Sequence, residues 1–172
     1  MPASPEDLTA FLAEIGVSTR TVSHPPLFTV GQSRALRGEI AGAHTKNLFL
    51  KDKKGALYLI VAEESAAIDL KRLPTRIGAA GRLSFGKPEE LHETLGIAPG
   101  AVSVFGLIND LDRRVSVVLD AGLMASETVN CHPLVNTATT SIGADDLLIF
   151  VKATGHQPLI LALDAPAAAA KM

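Results

Sequence analysis

The chain has 172 residues, of which 47% are hydrophobic and 20% charged, and its formal net charge is −2 at pH 7. A chain of this length and composition is expected to fold as one globular domain with an aliphatic core. The slightly negative total charge argues against a protein that coats nucleic acid without specificity.

The sequence has no segment that is expected to enter a membrane or a secretion pathway. The apolar run Leu159–Leu163 is far shorter than the ~20 residues of a transmembrane helix. The first residues lack the basic and apolar regions of a signal peptide. A single cysteine, Cys131, excludes an intramolecular disulfide and suits a reducing compartment, so the cytoplasm is the expected location.

Helices are predicted from capping residues and from the spacing of apolar side chains. Ser4, Pro5 and Asp7 are typical of a helix start, and Gly16 supplies the end of that helix. The further predicted helices are a short one between Thr29 and Gly38, one over Ser65–Leu73 ended by Pro74, one from Lys87 to Gly96, and one over Asp145–Ala153. The Ala-rich tail after Asp164 is expected to be frayed.

Strands are predicted in pairs, with helices placed irregularly between them. They cover Val17–Ser23, Thr45–Leu50 with Ala56–Ala62, Val104–Ile108 with Val115–Leu119, two segments on either side of His132-Pro133, and Pro158–Leu163. Because strict βαβ alternation is absent, an α+β fold with a mixed, largely antiparallel curved sheet and surrounding helices is favoured. One domain over residues 1–172 is expected, with its core at about residues 5–163 and no linker.

The common catalytic motifs are absent. The sequence has no Gly-x-Ser-x-Gly elbow, no Walker loop and no dinucleotide fingerprint. The five histidines are far apart in the sequence, without the spacing of metal ligands, so a zinc site is not expected.

Cys131 and His132 are neighbours, and the pair is a candidate for thiol catalysis. In a strand, adjacent side chains point to opposite faces, so the two are not expected to form a nucleophile and base. His132 is held extended by Pro133 and could contact a substrate near neutral pH, or could be satisfied by a backbone carbonyl. Gly100 follows Pro99 in a turn, where it either forms the turn or lets a ligand approach the backbone.

Lys46 is a second candidate site residue. By strand alternation it shares a face with Leu48 and Leu50, and a cation on an apolar face is costly unless it meets an anion or lines a cleft. If the strand instead begins at Asn47, Lys46 is an ordinary solvated lysine.

The only concentrated basic segment runs from residue 71 to residue 87 without an acid. It contains Lys71, Arg72, Arg76, Arg82 and Lys87. Such a run is either a solvated face or a patch that meets a phosphate backbone, and Lys51 in the turn after Lys46 could extend it.

Four segments together resemble the YbaK/prolyl-tRNA synthetase-associated editing family. They are His24-Pro25-Pro26-Leu27-Phe28-Thr29, Lys46-Asn47-Leu48-Phe49-Leu50, the stretch from Pro99 to Asn109, and His132-Pro133-Leu134-Val135-Asn136-Thr137. Their order and spacing are similar to those of the family over residues 5–163. Within it, the chain resembles most the freestanding branch that clears alanine from mischarged tRNA(Pro).

The resemblance implies the YbaK fold and a cytoplasmic, trans-acting hydrolase of aminoacyl-tRNA that uses no metal and no cofactor. It implies that Lys46 holds the terminal adenosine phosphate, that Gly100 offers backbone groups to the aminoacyl moiety, and that His132 lines the same pocket. Phe28, Thr29 and Asn47 would contact the substrate, and the basic residues Lys51, Lys71, Arg72, Arg76 and Arg82 would contact tRNA. The implied partners are the acceptor end of a mischarged tRNA(Pro) and prolyl-tRNA synthetase.

One position departs from the family pattern, since Val104 stands where a proline is expected four residues after Gly100. Alternative interpretations are a cysteine-specific deacylase of the YbaK type, a thiol hydrolase that uses Cys131, and a non-catalytic module that binds RNA or protein.

Overall fold

A computed structural model describes residues 1–26 and 40–163. The helix predicted between Thr29 and Gly38 and the tail after Asp164 lie outside the described residues. The α-helices of the described part are α1 (Pro5–Glu14), α2 (Leu73–Ile77), α3 (Pro88–Leu95), α4 (Ala121–Met124) and α5 (Ala144–Ala153), and two 3₁₀ helices cover Pro99–Ala101 and Val104–Asn109. None of these helices is both long and apolar enough to cross a membrane.

Eight strands form one mixed sheet. They are β1 (Thr19–Ser23), β2 (Ala43–Lys51), β3 (Leu57–Glu63), β4 (Ser84–Phe85), β5 (Val115–Asp120), β6 (Thr128–Cys131), β7 (Ala138–Gly143) and β8 (Leu159–Leu161). Their order is β1-β7-β6-β2-β3-β5-β8, with β4 paired to β2 beside β6. Pairing is parallel between β2 and β6, β3 and β5, and β5 and β8, and antiparallel elsewhere. The sheet is therefore mixed, as expected from the sequence.

The sheet separates two cores because alternate side chains of each strand point to opposite faces. On β3, Leu59 and Val61 belong to the main core, which includes Phe49, Phe105 and Phe150. Tyr58 and Ile60 belong to the second core, which includes Leu50, Leu73 and Leu163. Since β3 is covered on both faces, it reads in the sequence as a continuous apolar run.

Two predictions of secondary structure are wrong, and the first is the helix over Ser65–Leu73. Residues 65–72 form turns rather than a helix, and Pro74 lies in the first turn of α2 instead of ending a helix. The carboxylate of Asp69 accepts a hydrogen bond from Lys71 N at 3.0 Å, an Asx turn that competes with helix formation. Proline is tolerated at a helix start because its missing N–H would have no partner there.

The predicted hairpin of Val104–Ile108 with Val115–Leu119 is also wrong. Residues Val104–Asn109 form a 3₁₀ helix, and the hydroxyl of Ser103 accepts from Phe105 N at 3.1 Å at its start. A short apolar run does not distinguish a strand from a buried helical segment. The segment Val115–Asp120 pairs instead with β3 and β8.

Asp52 organises the turn between β2 and β3. Its buried carboxylate accepts hydrogen bonds from the backbone N–H groups of Lys54 and Ala56 at 2.9 and 3.0 Å, and from Ala80 N at 3.0 Å. The Tyr58 hydroxyl donates to it as well, at 3.3 Å. One side chain thus joins the hairpin turn to the segment that leads into β4.

Asp110 and His156 form a buried pair between the end of the second 3₁₀ helix and the end of α5. His156 Nε2 lies 2.8 Å from Asp110 Oδ2, and both residues are less than 5% exposed. Burial raises the pKa of Asp110, but hydrogen bonds from His156 and from the backbone of Val115 and Arg114 outweigh burial, so the pKa falls below its ordinary value. The carboxylate is therefore the form that stabilises the fold.

Replacing Asp110 by Asn is expected to lower the free energy of unfolding by about 3 kcal/mol, because the amide has only one acceptor oxygen and leaves at least one of the buried N–H donors at this site without an acceptor. The folded pKa lies below 3.8, so the contribution of the carboxylate is complete above that value and is lost as the pH falls through the folded pKa. Urea unfolding between about pH 5 and pH 3 should therefore give a difference that shrinks only at the acid end. The control is Asp112→Asn at an exposed neighbour, and an equal effect of both substitutions would contradict the prediction.

Candidate active site

Polar side chains collect on one face of the sheet, where β1, β7, β6 and β2 lie side by side. This polar face is defined by strand alternation and register, in which His44 lies opposite Asn130, Asn130 opposite Ser141, and Thr139 opposite Val22. Its polar members are Arg20, His24, His44, Lys46, Asn130, His132, Thr139 and Ser141. It continues the face that carries the second core further along β2.

Strands β2 and β6 part within this polar face. They pair only at Ala43 with Val129 and at His44 with Asn130, after which the Thr45 hydroxyl donates to the carbonyl of Asn130 at 2.8 Å. Lys46 and His132 each lie two residues beyond the last pair, on the same face. The two predicted site residues therefore lie on one face of the sheet, just beyond the point where the strands separate.

The side chain of Lys46 points to the face of β2 that strand alternation predicts. It shares its face with Leu48 and Leu50, which pack in the second core. Its half-buried amine donates a hydrogen bond to the carbonyl of Ala66, in the turn after β3. An ammonium group has three donors, and this is the one hydrogen bond of Lys46 within the described part of the chain, so two donors remain for a ligand.

His132 is held in a defined protonation state. Its Nδ1 lies 3.1 Å from the carbonyl of Ala138, which can only accept, so Nδ1 carries the proton. Burial lowers the pKa of His132, and the neighbouring His24 and His44 lower it further, although the Ala138 carbonyl acts in the opposite direction. At neutral pH the ring is therefore uncharged, and its Nε2 offers a lone pair.

His24 and His44 flank His132, a grouping that sequence spacing did not reveal. The His24 ring lies 6.5 Å from the His132 ring, centroid to centroid, and its Nε2 is 2.8 Å from the Thr139 hydroxyl. His44 Nε2 lies 3.0 Å from the carbonyl of Ile40. Two features could have indicated these residues. His24 comes one residue after β1, and His44 lies on the same face of β2 as Lys46.

Asn130 is a further residue that sequence reasoning missed. It is buried, and its Nδ2 donates to the carbonyls of Ala41 and Ala43 at 3.1 and 3.3 Å, while the Ser141 hydroxyl donates to its Oδ1. The amide thus fixes β6 against the start of β2 and positions both Lys46 and His132.

Gly100 lies next to the loop that follows β6. It is exposed in the first 3₁₀ helix, and a Cβ atom placed on it would lie 3.6 Å from Asn136 Nδ2, in the loop between β6 and β7. Beside it is a cleft of about 290 Å³ lined by Asn47, Phe49, Phe85, Gly86, Pro88, Leu91, Pro99 and Val102. Asn47 and Phe49 point away from Lys46, so the site residues predicted on β2 divide between the two faces.

Cys131 does not belong to the polar face. It is 2% exposed in the main core, on the face opposite His132, as strand alternation predicts. Burial raises the pKa of its thiol to about 12, although a contact with the Thr45 hydroxyl opposes this. A thiol in this environment is not a nucleophile at neutral pH.

The basic residues predicted to contact tRNA fall into two groups. Lys71 and Arg72 are exposed before α2, Arg72 is 3.4 Å from Asp69, and Arg76 donates to the carbonyls of Ala162 and Leu163 after β8. Lys51 and Arg82 lie near β4, where Lys51 is 3.0 Å from Glu90.

Two predicted contact residues, Phe28 and Thr29, lie outside the described residues. Within residues 1–26 and 40–163, no group of three or more His, Cys, Asp or Glu side chains could hold a metal ion.

Comparison with known proteins shows which family the chain matches. Residues 24–150 match the model of the aminoacyl-tRNA editing domain. A prolyl-tRNA editing protein ProX from Acetoanaerobium sticklandii is 38% identical over 86% of this chain and 90% of its own. The prolyl-tRNA synthetase associated domain-containing protein 1 of Mus musculus is 37% identical over 92% of this chain and 95% of its own.

A solved structure described as a candidate trans-editing enzyme for prolyl tRNA synthetase has the same fold. It superposes with a TM-score of 0.72 over 96% of this chain and 99% of its own, at 22% sequence identity.

Proposed function

Because the chain belongs to the aminoacyl-tRNA editing domain family, we propose that it acts in trans on mischarged tRNA(Pro), with alanyl-tRNA(Pro) as its preferred substrate. Its enzyme class is aminoacyl-tRNA deacylase, a hydrolase of the ester between amino acid and tRNA. A relative named for prolyl-tRNA editing and others named for association with prolyl-tRNA synthetase support tRNA(Pro) as the substrate and that synthetase as a partner.

The observation that carries the proposal is the placement of Lys46 and His132 on one face, where β2 and β6 part. A cation with two remaining donors and a neutral imidazole with a lone pair lie there, while the only cysteine is buried on the opposite face. This set can bind a phosphate and accept a hydrogen bond, but it contains no activated nucleophile. It therefore suits hydrolysis in which water attacks the ester directly.

In the proposed reaction, a water oxygen forms a bond to the carbonyl carbon and the bond from that carbon to the ribose oxygen breaks. The ribose oxygen leaves with a proton, and the free amino acid takes the hydroxyl. The neighbouring ribose hydroxyl of the tRNA helps to place or activate the water, so the substrate supplies part of the catalysis. The protein supplies orientation and hydrogen bonds to the developing charge.

The residues have distinct roles in this proposal. Lys46 binds the phosphate of the terminal nucleotide, a contact that fixes the ester above the polar face. His132 Nε2 accepts a hydrogen bond from the ribose hydroxyl or from the water. Gly100 lets the substrate approach the backbone of the first 3₁₀ helix, because no side chain stands in the way.

Selectivity for alanine rests on size. One methylene changes binding by about 1–3 kcal/mol, so a pocket that holds a methyl group excludes the larger proline ring by volume and discriminates less well against cysteine or serine. The acceptor stem is proposed to lie across the basic residues near β4, Lys51 and Arg82 among them, with Lys71, Arg72 and Arg76 contacting tRNA further from the site.

The central test compares the loss of ester from Ala-tRNA(Pro), Cys-tRNA(Pro) and Pro-tRNA(Pro) at equal enzyme concentration. Alanine is expected to be released faster than either cysteine or proline, with spontaneous hydrolysis subtracted. Faster release of cysteine would support the YbaK-type alternative. Absence of deacylation from every charged tRNA would contradict the proposed function and favour a binding module.

Lys46→Ala is expected to slow deacylation of Ala-tRNA(Pro) about 10²- to 10³-fold, because one positioned charged donor is lost. Lys152→Ala, at an exposed position on α5, is the matched control and should keep its rate. Cys131→Ser should also retain most activity. If Cys131→Ser is inactive in a folded protein, or Lys46→Ala retains full rate, the assigned roles are wrong.

The pH profile tests His132. Because its pKa is lowered below 6.5, the ring stays neutral on acidification past that value, and the acid limb of the enzymatic rate should have its midpoint below pH 6.5. His132→Gln should slow the reaction about 10²-fold and remove this limb. His92→Ala, exposed on α3, is the control. An acid limb that persists unchanged in His132→Gln would assign the titration to another group.

A further inference from the structure

The loop between β6 and β7 carries a polar side chain that no part of the fold uses. Asn136 is half-buried, and its side-chain amide makes no hydrogen bond within residues 1–26 and 40–163. Its polar atoms are not enclosed in the interior, so the amide presents two N–H donors at the surface. The side chain is therefore free to bind a ligand without giving up a contact of the fold.

Three contacts fix the loop that carries this amide. His132 Nδ1 donates to the carbonyl of Ala138 at 3.1 Å and so joins the two ends of the loop. The backbone N–H of His24 donates to the carbonyl of Thr137 at 2.9 Å, which ties the loop to the end of β1. The side chain of Leu134 is buried in the main core. The backbone at Asn136 is thus held by its neighbours, although its own side chain has no partner among the described residues.

The backbone of Leu134 is strained. Its φ is 72°, in the left-handed region that a bulky residue rarely adopts. Packing of the side chain in the main core holds this conformation in place. Strained residues of this kind are found at functional sites, where the surrounding structure maintains them. Because Leu134 precedes Asn136 by two residues, the strained turn sets the direction in which the chain reaches Asn136.

The amide of Asn136 lies beside Gly100, where a second donor is available. A Cβ atom placed on Gly100 would lie 3.6 Å from Asn136 Nδ2. The first hydrogen bond of this 3₁₀ helix is donated by Ala101 N to the carbonyl of Ala98 at 2.9 Å, so the N–H of Gly100 has no partner within the helix. A side-chain N–H and a backbone N–H therefore meet at an exposed position without a Cβ atom.

We infer that Asn136 is a further catalytic residue, whose Nδ2 donates a hydrogen bond to the carbonyl oxygen of the aminoacyl ester; this inference rests on the proposed function. As the water oxygen bonds to the carbonyl carbon, an electron pair moves onto the carbonyl oxygen, and the N–H groups of Asn136 and Gly100 stabilise that oxyanion. When the bond from the carbon to the ribose oxygen breaks, the pair returns to the carbonyl. The ribose oxygen leaves with the proton that the water gave up.

This role fills a gap in the division of work between the other residues. His132 uses its Nδ1 proton on Ala138 and offers only a lone pair at Nε2, so it cannot donate to an oxyanion in this state. The proposed function assigns Lys46 to a phosphate. Asn136 supplies the missing donor from the same loop that begins at His132. A donor placed before the reaction begins is effective because it acts most strongly on charge that develops in the transition state.

The first test separates turnover from substrate binding. Asn136→Ala should lower kcat for Ala-tRNA(Pro) about 10²- to 10³-fold and change KM by no more than about twofold. Asn136→Asp keeps the shape of the side chain but replaces the donor by an acceptor, so it should be at least as slow as Asn136→Ala. A purely structural role would instead be rescued by aspartate. Thr137→Ala, which removes an exposed hydroxyl from the same loop, is the control and should keep its rate.

The second test measures binding without hydrolysis. Two analogues of alanyl-adenosine are compared by calorimetry: a 3′-phosphonate ester of 1-aminoethylphosphonic acid, whose tetrahedral P–O⁻ group stands for the oxyanion, and a planar 3′-amide of alanine. Asn136→Ala should weaken binding of the phosphonate about tenfold or more and of the amide only about twofold, since a hydrogen bond to a charged group is the stronger one.

Equal losses of affinity for the two analogues would overturn the inference, because Asn136 would then bind the ground state as well as the transition state. A folded Asn136→Asp protein that keeps the wild-type kcat would overturn it too. Either result beside an active wild-type protein contradicts the role of Asn136 alone. Absence of deacylation by the wild-type protein would instead contradict the proposed function, and this inference with it.

Discussion

The candidate site depends on one constraint, the short pairing of β2 with β6. Two residue pairs join these strands, and the buried amide of Asn130 then fixes β6 through the carbonyls of Ala41 and Ala43. If the pairing continued, β6 would lie directly beside Lys46 and would close the opening to a ligand. Because β6 turns away at His132, the middle of β2 faces an opening between β6 and β4. A ligand can therefore approach the middle of this central strand through the opening in the sheet.

The buried and half-buried polar side chains of the polar face are tolerated because they have hydrogen-bond partners. His24, His44, Asn130 and His132 each have a hydrogen bond to a backbone carbonyl or a hydroxyl. A buried polar group that is satisfied in this way carries little penalty, and it is held in one orientation. Lys46 differs because, among residues 1–26 and 40–163, a single carbonyl accepts from it and its other two donors are available. These hydrogen bonds hold the side chains in place, while Lys46 and the Nε2 atom of His132 keep groups that can bind a ligand.

Local sequence patterns were sufficient for the hairpin of β2 and β3 and for the face of Lys46, because both depend on alternation along one strand. For the same reason they predicted correctly that the side chains of Cys131 and His132 point to opposite faces. They failed at Val104–Asn109, where a capping serine makes a short apolar run helical, and at residues 65–72, where Asp69 stabilises a turn. The parallel pairs and the grouping of three histidines join residues distant in the chain, so no local pattern contains them. The roles of Lys46, His132, Gly100, Asn47 and the basic residues stay predictions.

The four hydrogen bonds accepted by Asp52 have a consequence for the order of folding. The hairpin of β2 and β3 closes a short loop and can form early, at a small cost in chain entropy. The segment before β4 is anchored to that hairpin through Ala80 N on Asp52 and through Lys53 N on the carbonyl of Ala80. These two hydrogen bonds can form only when the turn of the hairpin is in place, and opening of the hairpin would break them. The wall of the cleft that carries Phe85 should accordingly belong to the same cooperative unit as β2, so amide exchange in the two segments should report one opening event.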